Sequence, residues 1–221
     1  MKIGIIGAGR IGGGIARQFG GAGHELMLSF SRDQAALGRL AAQIGPDTTV
    51  GGPAEAVRFG EAVVISVPWS VLPLALEQAG PLDGKIVIDT TNQFGAAPLP
   101  PEGQTAAAFN AARMPAARYT KSFNTLTAGF QAEAAGRTGE EQVVQWLCGD
   151  DPEAKRVIAR LIEDAGFIPA DLGGTAGCAV MEAPRRPGAV YGEEYRAADA
   201  AAVIEAVRAG HPIPPTPQYH S

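Results

Sequence analysis

The chain has 221 residues, 46% of them hydrophobic and 19% charged, enough apolar material for one good-sized core and too much for a disordered or fibrous protein. Its 18 Lys and Arg against 23 Asp and Glu give a net charge of −5, and no basic run is long enough to track a nucleic-acid backbone, so the expected partners are small molecules. Glycines break the apolar start MKIGIIGAG before it reaches signal-peptide length, and no stretch approaches the roughly 20 apolar residues of a membrane helix. Cys148 and Cys178 form no CxxC and read as two reduced thiols, and His24, His211 and His220 have no Cys, Asp or Glu at metal-ligand spacing. The expectation is a cytoplasmic protein with no membrane segment and no metal.

The first half alternates short β-branched runs with stretches of helical period. KIGII (2–6), ELMLSF (25–30), AVVISV (62–67) and KIVID (85–89) read as strands, and their continuous apolar character suits parallel strands buried on both faces. Between them Arg10–Phe19, Asp33–Ile44, Pro53–Phe59 and Trp69–Ala79 are long enough for crossover helices. Asp33 can cap the second helix, Gly45-Pro46 stops it, and Pro53 suits a first helical position. FGAAPLPP (94–101) is a loop. The pattern resumes with RYTKSF (118–123), a helix after Asn124, QVVQWL (142–147), a helix opened by Asp151-Pro152, and FIPADL (167–172).

The predicted fold class is α/β, a doubly wound, mainly parallel sheet with helices on both faces. One nucleotide-binding domain covers residues 1–175. An irregular extension, residues 176–221, is expected to pack on the same domain or on a partner subunit. Within it Ala197–Ala209 reads as a short helix closed by Gly210, and the proline-rich HPIPPTPQYHS favours polyproline-II geometry, its last residues facing solvent.

Gly7-Ala8-Gly9-Arg10-Ile11-Gly12 is a GxGxxG that follows a strand, opens a helix and precedes the next strand end by about 20 residues, the context that makes it a dinucleotide cradle. Gly7 permits the tight turn, Gly9 lets backbone approach a pyrophosphate, and Gly12 lets the helix lie close to the strand. Arg10 can add charge near the phosphates or sit solvated at the helix start. At the end of the second strand, where an NAD site carries a carboxylate for the ribose, stand Ser31 and Arg32, a hydroxyl and a permanent cation that suit a 2′-phosphate. NADP(H) is therefore expected, with Asp33 either a helix cap or a displaced ribose ligand.

Ligands of such sheets lie beyond the carboxyl ends of the strands. Those ends are Ser66-Val67-Pro68-Trp69, Asp89-Thr90-Thr91-Asn92 and Ser122-Phe123-Asn124-Thr125, a group of hydroxyls, amides and aromatics with few charges. Ser66, Val67, Pro68 and Asn92 are expected on the cofactor, and Trp69, Asn124 and Thr125 in the substrate pocket. Each has a plainer role available: Pro68 and Trp69 can begin a helix, Asp89 can tie down a turn, and Asn124 can cap a helix. Lys121 can donate a proton or simply reach solvent from its strand. No acid/base catalyst is assigned.

GAGRIG, SFSRD, SVPW, KSFNTL and CGDDPEAK, in this order over residues 1 to about 172, resemble the NADP-dependent oxidoreductases of the coenzyme F(420)-dependent type, and are similar to the cytoplasmic reductase domains of six-transmembrane epithelial metalloreductases. The resemblance implies a Rossmann-type fold, NADPH, hydride transfer to a deazaflavin or flavin, and a homodimer. It carries the family's 2′-phosphate contacts to Ser31 and Arg32, its nicotinamide-side contacts to Val67, Pro68 and Trp69, and a pocket position to Asn124. The segment from Cys178 onward does not resemble the family's carboxyl-terminal part. Two other functions stay open on the residues alone: an imine, carbonyl or alkene reductase of a small metabolite, and a non-catalytic NADPH-binding sensor.

Overall fold

The computed structural model describes residues 1–219; His220 and Ser221, the end of the tail expected in solvent, lie outside the described residues. One sheet of eight strands organises the chain: β1 (Lys2–Ile6), β2 (Glu25–Ser29), β3 (Thr48–Val50), β4 (Ala62–Ile65), β5 (Ile86–Asp89), β6 (Arg118–Ser122), β7 (Val144–Gly149) and β8 (Ile168–Asp171). Their order across the sheet is β3-β2-β1-β4-β5-β6-β7-β8. All neighbours are parallel except β6 and β7, where Thr120 faces Gly149 in antiparallel register. The winding reverses between β1 and β4, so the ends of these two strands open the crevice in which such sheets bind ligands.

Strand residues divide between two cores because successive side chains point to opposite faces. Ile3, Ile5, Ala62, Val64, Ile86 and Ile88 enter one cluster, and Ile6, Val63, Ile65 and Val87 the other. On the first face lie α1 (Arg10–Gly21), α2 (Gln34–Ile44), α6 (Ala128–Ala134) and α7 (Pro152–Asp164), through Ile15, Phe19, Leu37, Ala134 and Ile158. On the second lie α3 (Pro53–Phe59), α4 (Leu72–Ala79), α5 (Ala106–Ala112) and α8 (Ala197–Ala209), through Val57, Leu72, Ala107 and Val203. Each fully buried Ile or Leu contributes about 1.5–3 kcal/mol, which is why continuous apolar strands form without strong local propensity.

The helix ends follow local chemistry. The Asp33 carboxylate accepts from the Ala36 amide at 2.8 Å, so Asp33 is the cap of α2. Asp151 caps α7 through the amides of Glu153 and Ala154, with Pro152 in the first turn, and Gly210 ends α8 in left-handed geometry. Asn124 is not a helix cap: α6 starts at Ala128, capped by Thr127, because the Asn124 side chain is engaged elsewhere. Strand β3 and helix α5 went unread in the sequence, and Trp69–Val71 is a 3-10 turn ahead of α4.

The extension packs on its own sheet. A 3-10 turn, Thr175–Met181, crosses the second face and sets Cys178 against Cys148 of β7 with a Cα–Cα distance of 6.1 Å, and the two are disulfide-bonded. This corrects the expectation of separate reduced thiols: spacing along the chain is irrelevant once the turn folds back over β7, and the cysteines no longer argue for a reducing compartment. Tyr195 packs edge-on against Trp146, and its carbonyl accepts from the Val144 amide at 2.8 Å. Tyr219 donates to Asp199 of α8 at 2.5 Å, holding the proline-rich segment back on the protein. Among the described residues no helix is long and apolar enough to cross a membrane, and no cluster of His, Cys, Asp and Glu could hold a metal ion.

Candidate functional site

The cradle begins where β1 ends. Gly7 adopts φ +96, and its amide donates to Ser29 O at 3.0 Å. A Cβ there would lie 2.3 Å from Ser66 O, so the turn requires glycine by conformation and by space. A Cβ on Gly12 would lie 2.0 Å from Gly7 O, which is how closely α1 approaches the turn. A Cβ on Gly9, by contrast, would meet nothing within 4 Å. Gly9 is the amino cap of α1 and supplies no side chain, so the first amides of the helix face this open space with the positive end of the helix dipole. Open space at a helix amino terminus is the general setting for anion binding.

Next to β1, the end of β2 turns sharply. Ser29 is fully buried and donates to Ile5 O at 2.9 Å, and Phe30 then takes φ +57, a left-handed conformation that is costly for a large side chain. The turn swings Ser31 and Arg32 out to the surface. Ser31 Oγ accepts from the Asp33 amide at 3.1 Å, and Arg32 has no ion-pair or hydrogen-bond partner among the described residues. Asp33 is occupied by its capping bond and by Arg39 at 3.8 Å.

A cavity of about 790 Å³ opens beyond the strand ends at the winding reversal. Of the residues singled out in the sequence, it brings together Gly9, Arg10 and Ile11 of the cradle, Ser66, Val67, Pro68 and Trp69 after β4, Asn92 after β5, and Asn124 and Thr125 after β6. Gly7, Ala8 and Gly12 shape the turn behind it, and Ser31 and Arg32 do not line it. Trp69 is 3% exposed: its indole donates to Pro98 O at 2.9 Å and stacks on Phe109, so most of the ring holds the 93–101 loop and only an edge serves the cavity.

The far wall is held by two buried arrangements. Asn92 Nδ2 donates to Asn124 O at 2.8 Å, and Asn124 Nδ2 donates back to Asn92 Oδ1 at 3.1 Å and to Met181 O at 2.7 Å. These bonds tie the ends of β5 and β6 to each other and to the extension. Asn124 Oδ1 and Thr125 Oγ1, both buried against the cavity, have no partner. Buried polar atoms without partners cost about 1–3 kcal/mol each, and such atoms at a cavity wall suit an incoming amide. Phe123 precedes them with φ +56, wedged edge-on between Phe19 and Phe167, and this strained turn aims Asn124 and Thr125 into the cavity.

Behind that wall Asp89 is fully buried. Its carboxyl oxygens accept from the Thr91 amide at 2.7 Å, from Tyr119 at 2.6 Å and from Asn110 at 2.8 Å. Burial first, and then the neighbouring Asp89, push the Tyr119 hydroxyl well above its ordinary pKa, so it stays a donor. Lys121 is also fully buried and bonds Thr91 O, which removes both it and Asp89 from contact with a substrate and corrects the reading of Lys121 as a strand lysine reaching solvent. Its strand, β6, lies inside the sheet, paired with β5 on one side and antiparallel β7 on the other.

Sequence reading missed the part of the cavity supplied by Phe94 and by the extension, namely Arg185, Tyr191 and Gly192. Nothing in MEAPRRPGAVYGEEYR has a period that could have signalled this. The extension is led there by the Glu182 carboxylate, which accepts from the Ala106 and Ala107 amides at 2.9 and 2.7 Å, and by the Gly192 amide, which donates to Thr125 O at 2.8 Å.

Residues 2–93 match the family model of the NADP oxidoreductase coenzyme F(420)-dependent proteins. The chain is 29% identical over 182 residues to Metalloreductase STEAP3 of Rattus norvegicus, an alignment covering 82% of this chain and 36% of that protein. It thus spans little more than a third of the length of this curated relative. Its structure is similar to that of hypothetical protein SMa0349 from Sinorhizobium meliloti, with a TM-score of 0.76 and 27% identity over 89% of this chain and 95% of the other. A protein of Arthrobacter sp. fb24 assigned as an F(420)-dependent NADP reductase shares the fold, with a TM-score of 0.69 and 24% identity over 80% of this chain and 87% of the other. The match over residues 2–93 takes in the glycine cradle and strands β1 to β5, and over these residues the chain is similar to the NADP oxidoreductases of the coenzyme F(420)-dependent family.

Proposed function

We propose that the chain is an NADPH-dependent oxidoreductase that holds the nicotinamide against a flat acceptor such as a deazaflavin or flavin. The observation that carries this reading is the cavity at the winding reversal, with open space at Gly9 at one end and the unpartnered Asn124 Oδ1 and Thr125 Oγ1 at the other. The α1 amides and Gly9 would take the pyrophosphate, and the exposed Arg32, with Ser31, the 2′-phosphate. Asn124 Oδ1 would accept from the carboxamide, and Thr125 Oγ would complete its hydrogen bonds. Val67, Pro68 and the edge of Trp69 would form an apolar wall for the ring.

Bound NADPH supplies the hydride, and the protein supplies proximity and orientation. The buried positions of Asp89 and Lys121 favour this reading over reduction of an imine or carbonyl, which needs a proton donor in contact with the substrate. The resemblance also leads us to propose a homodimer, which light scattering of the purified chain tests.

The experiment is a titration with NADPH and NADH followed by NADPH oxidation against FMN, a deazaflavin and a panel of imines and ketones. NADPH is expected to bind at least tenfold more tightly than NADH, Arg32→Ala to remove that preference, and the planar acceptors to be reduced. Equal affinity for NADH overturns the cofactor assignment, and consumption of NADPH by imines alone overturns the acceptor.

A further inference from the structure

The cavity is lined by two cations, Arg10 and Arg185, and by no Asp or Glu among the described residues, although the chain as a whole has a net charge of −5. The cations serve different ends. Arg10 follows Gly9 in the cradle, whereas Arg185 comes from the extension with Tyr191 and Gly192, on the side where Gly192 bonds Thr125 O. The charge of Arg185 is therefore not needed for the phosphates at the α1 amides.

Three features mark the Arg185 side as a built surface. First, its loop is anchored at both ends, by Glu182 on the amides of Ala106 and Ala107 and by the Gly192 amide on Thr125 O. Second, Glu193, itself only 14% exposed, pairs with Arg185 Nε at 2.5 Å and Nη2 at 2.9 Å; this orients a guanidinium whose side chain is 68% exposed and leaves three of its five N–H donors free. Third, Tyr191 meets Phe94 edge-on with ring centroids 6.0 Å apart, and Phe94 is 65% exposed at φ +45. A strained phenylalanine that touches Tyr191 and offers most of its ring to solvent at a cavity mouth is available to stack with another ring.

We infer that Arg185, with the Tyr191–Phe94 pair beside it, is the specificity element for the hydride acceptor, selecting a flat aromatic ring that carries an anionic side arm such as a phosphate. This rests on the oxidoreductase reading for the word acceptor, but it concerns a binding preference that is measured without turnover. The aromatic pair takes the ring by its face or edge, and the free donors of Arg185 take the anion in a geometry that a lysine could not reproduce.

FMN and riboflavin differ by one phosphate and are the probes. Quenching of flavin fluorescence by the NADP+-loaded protein is expected to show FMN bound about ten- to a hundredfold more tightly, as a charge-assisted hydrogen bond implies. Arg185→Ala should bring the ratio of the two affinities to about one, Arg185→Lys should restore only part of it, and Tyr191→Ala should weaken both flavins alike. Arg156→Ala, the same charge change at an exposed arginine of α7, should leave the ratio as in the unaltered protein. Equal affinities for FMN and riboflavin in the unaltered protein, binding of neither, or an unchanged ratio in Arg185→Ala overturns the inference. Tight FMN binding with no NADPH oxidation would overturn the proposed reaction and leave the anion preference intact.

Discussion

Lys121 Nζ lies 3.7 Å from Asp89 Oδ2 in full burial, and the contact binds two adjacent strands behind the wall of the cavity rather than serving chemistry inside it. Lys121 also donates to Thr91 O at 2.5 Å while Asp89 accepts from the Thr91 amide, so the pair grips both sides of one residue at the cavity wall. Removing one partner leaves the other buried without its counterpart. Lys121→Met is expected to lower the unfolding free energy by about 3–5 kcal/mol, and Asp89→Asn with Lys121→Met to recover more than half of that. Urea denaturation of the two variants checks it; a double variant no more stable than the single would show that the pair does not act as a unit.

Thr125 gives a prediction with two signs. Its hydroxyl is buried and unpartnered, so Thr125→Val removes an unsatisfied group and should leave the nucleotide-free protein as stable or about 1 kcal/mol more stable. On the proposed placement of the nicotinamide, the same change removes a hydrogen bond to the cofactor and should weaken NADPH about fivefold or more. Melting with and without NADPH reads both. Loss of stability without the nucleotide would mean that the hydroxyl has a structural partner.

Gly9 and Gly12 should separate binding from folding. Gly9→Ala puts a methyl group into open space, so stability should change by no more than about 1 kcal/mol while NADPH affinity falls at least tenfold. Gly12→Ala drives a Cβ to 2.0 Å from Gly7 O and should cost both stability and binding. Calorimetric titration and thermal unfolding distinguish the two; a Gly9→Ala protein that binds NADPH normally would remove the pyrophosphate from the α1 terminus.

Asp151 supplies a pH dependence. Its bond to Arg118 at 2.6 Å and its capping of α7 hold its carboxyl far below the ordinary carboxylate range. A carboxyl depressed in the folded state stabilises above the unfolded value, about pH 4, and that stabilisation is lost as pH falls through the folded value. Asp151→Ala should therefore cost about 1–2 kcal/mol at pH 7, a penalty that shrinks as pH falls below about 4. Denaturation at pH 7, 5 and 3 measures the convergence, and a difference constant across that range would exclude the ionised cap as its source.

Much of the sheet was legible because parallel strands bury both faces and leave continuous β-branched runs. KIGII is β1 to the residue, and the other six predicted strands are each found, shifted or shortened at their ends by one or two residues. The short β3 at Thr48–Val50 has three residues and no alternation to read. Helix α5 left a fainter trace: AAAFNAA follows Thr105, which caps it, but the proline-rich loop ahead masks the start. Asn124 shows the opposite failure, where a residue with strong capping tendency was recruited into the cavity wall by Asn92 and Met181 while Thr127 took the cap.

The sequence by itself determined the turn that follows β1, because the positive φ at Gly7 and the close approach at Gly12 are local consequences of residue type and spacing. Only the tertiary structure decided which distant groups meet at the other side. The burial of Lys121 with Asp89, the bonding of Cys148 to Cys178, and the arrival of Arg185 and Tyr191 at the cavity all depend on segments far apart in the chain. Such contacts are set by how the extension covers the second face of the sheet, where apolar burial and a few anchoring hydrogen bonds, and no periodic pattern, fix the path of the chain.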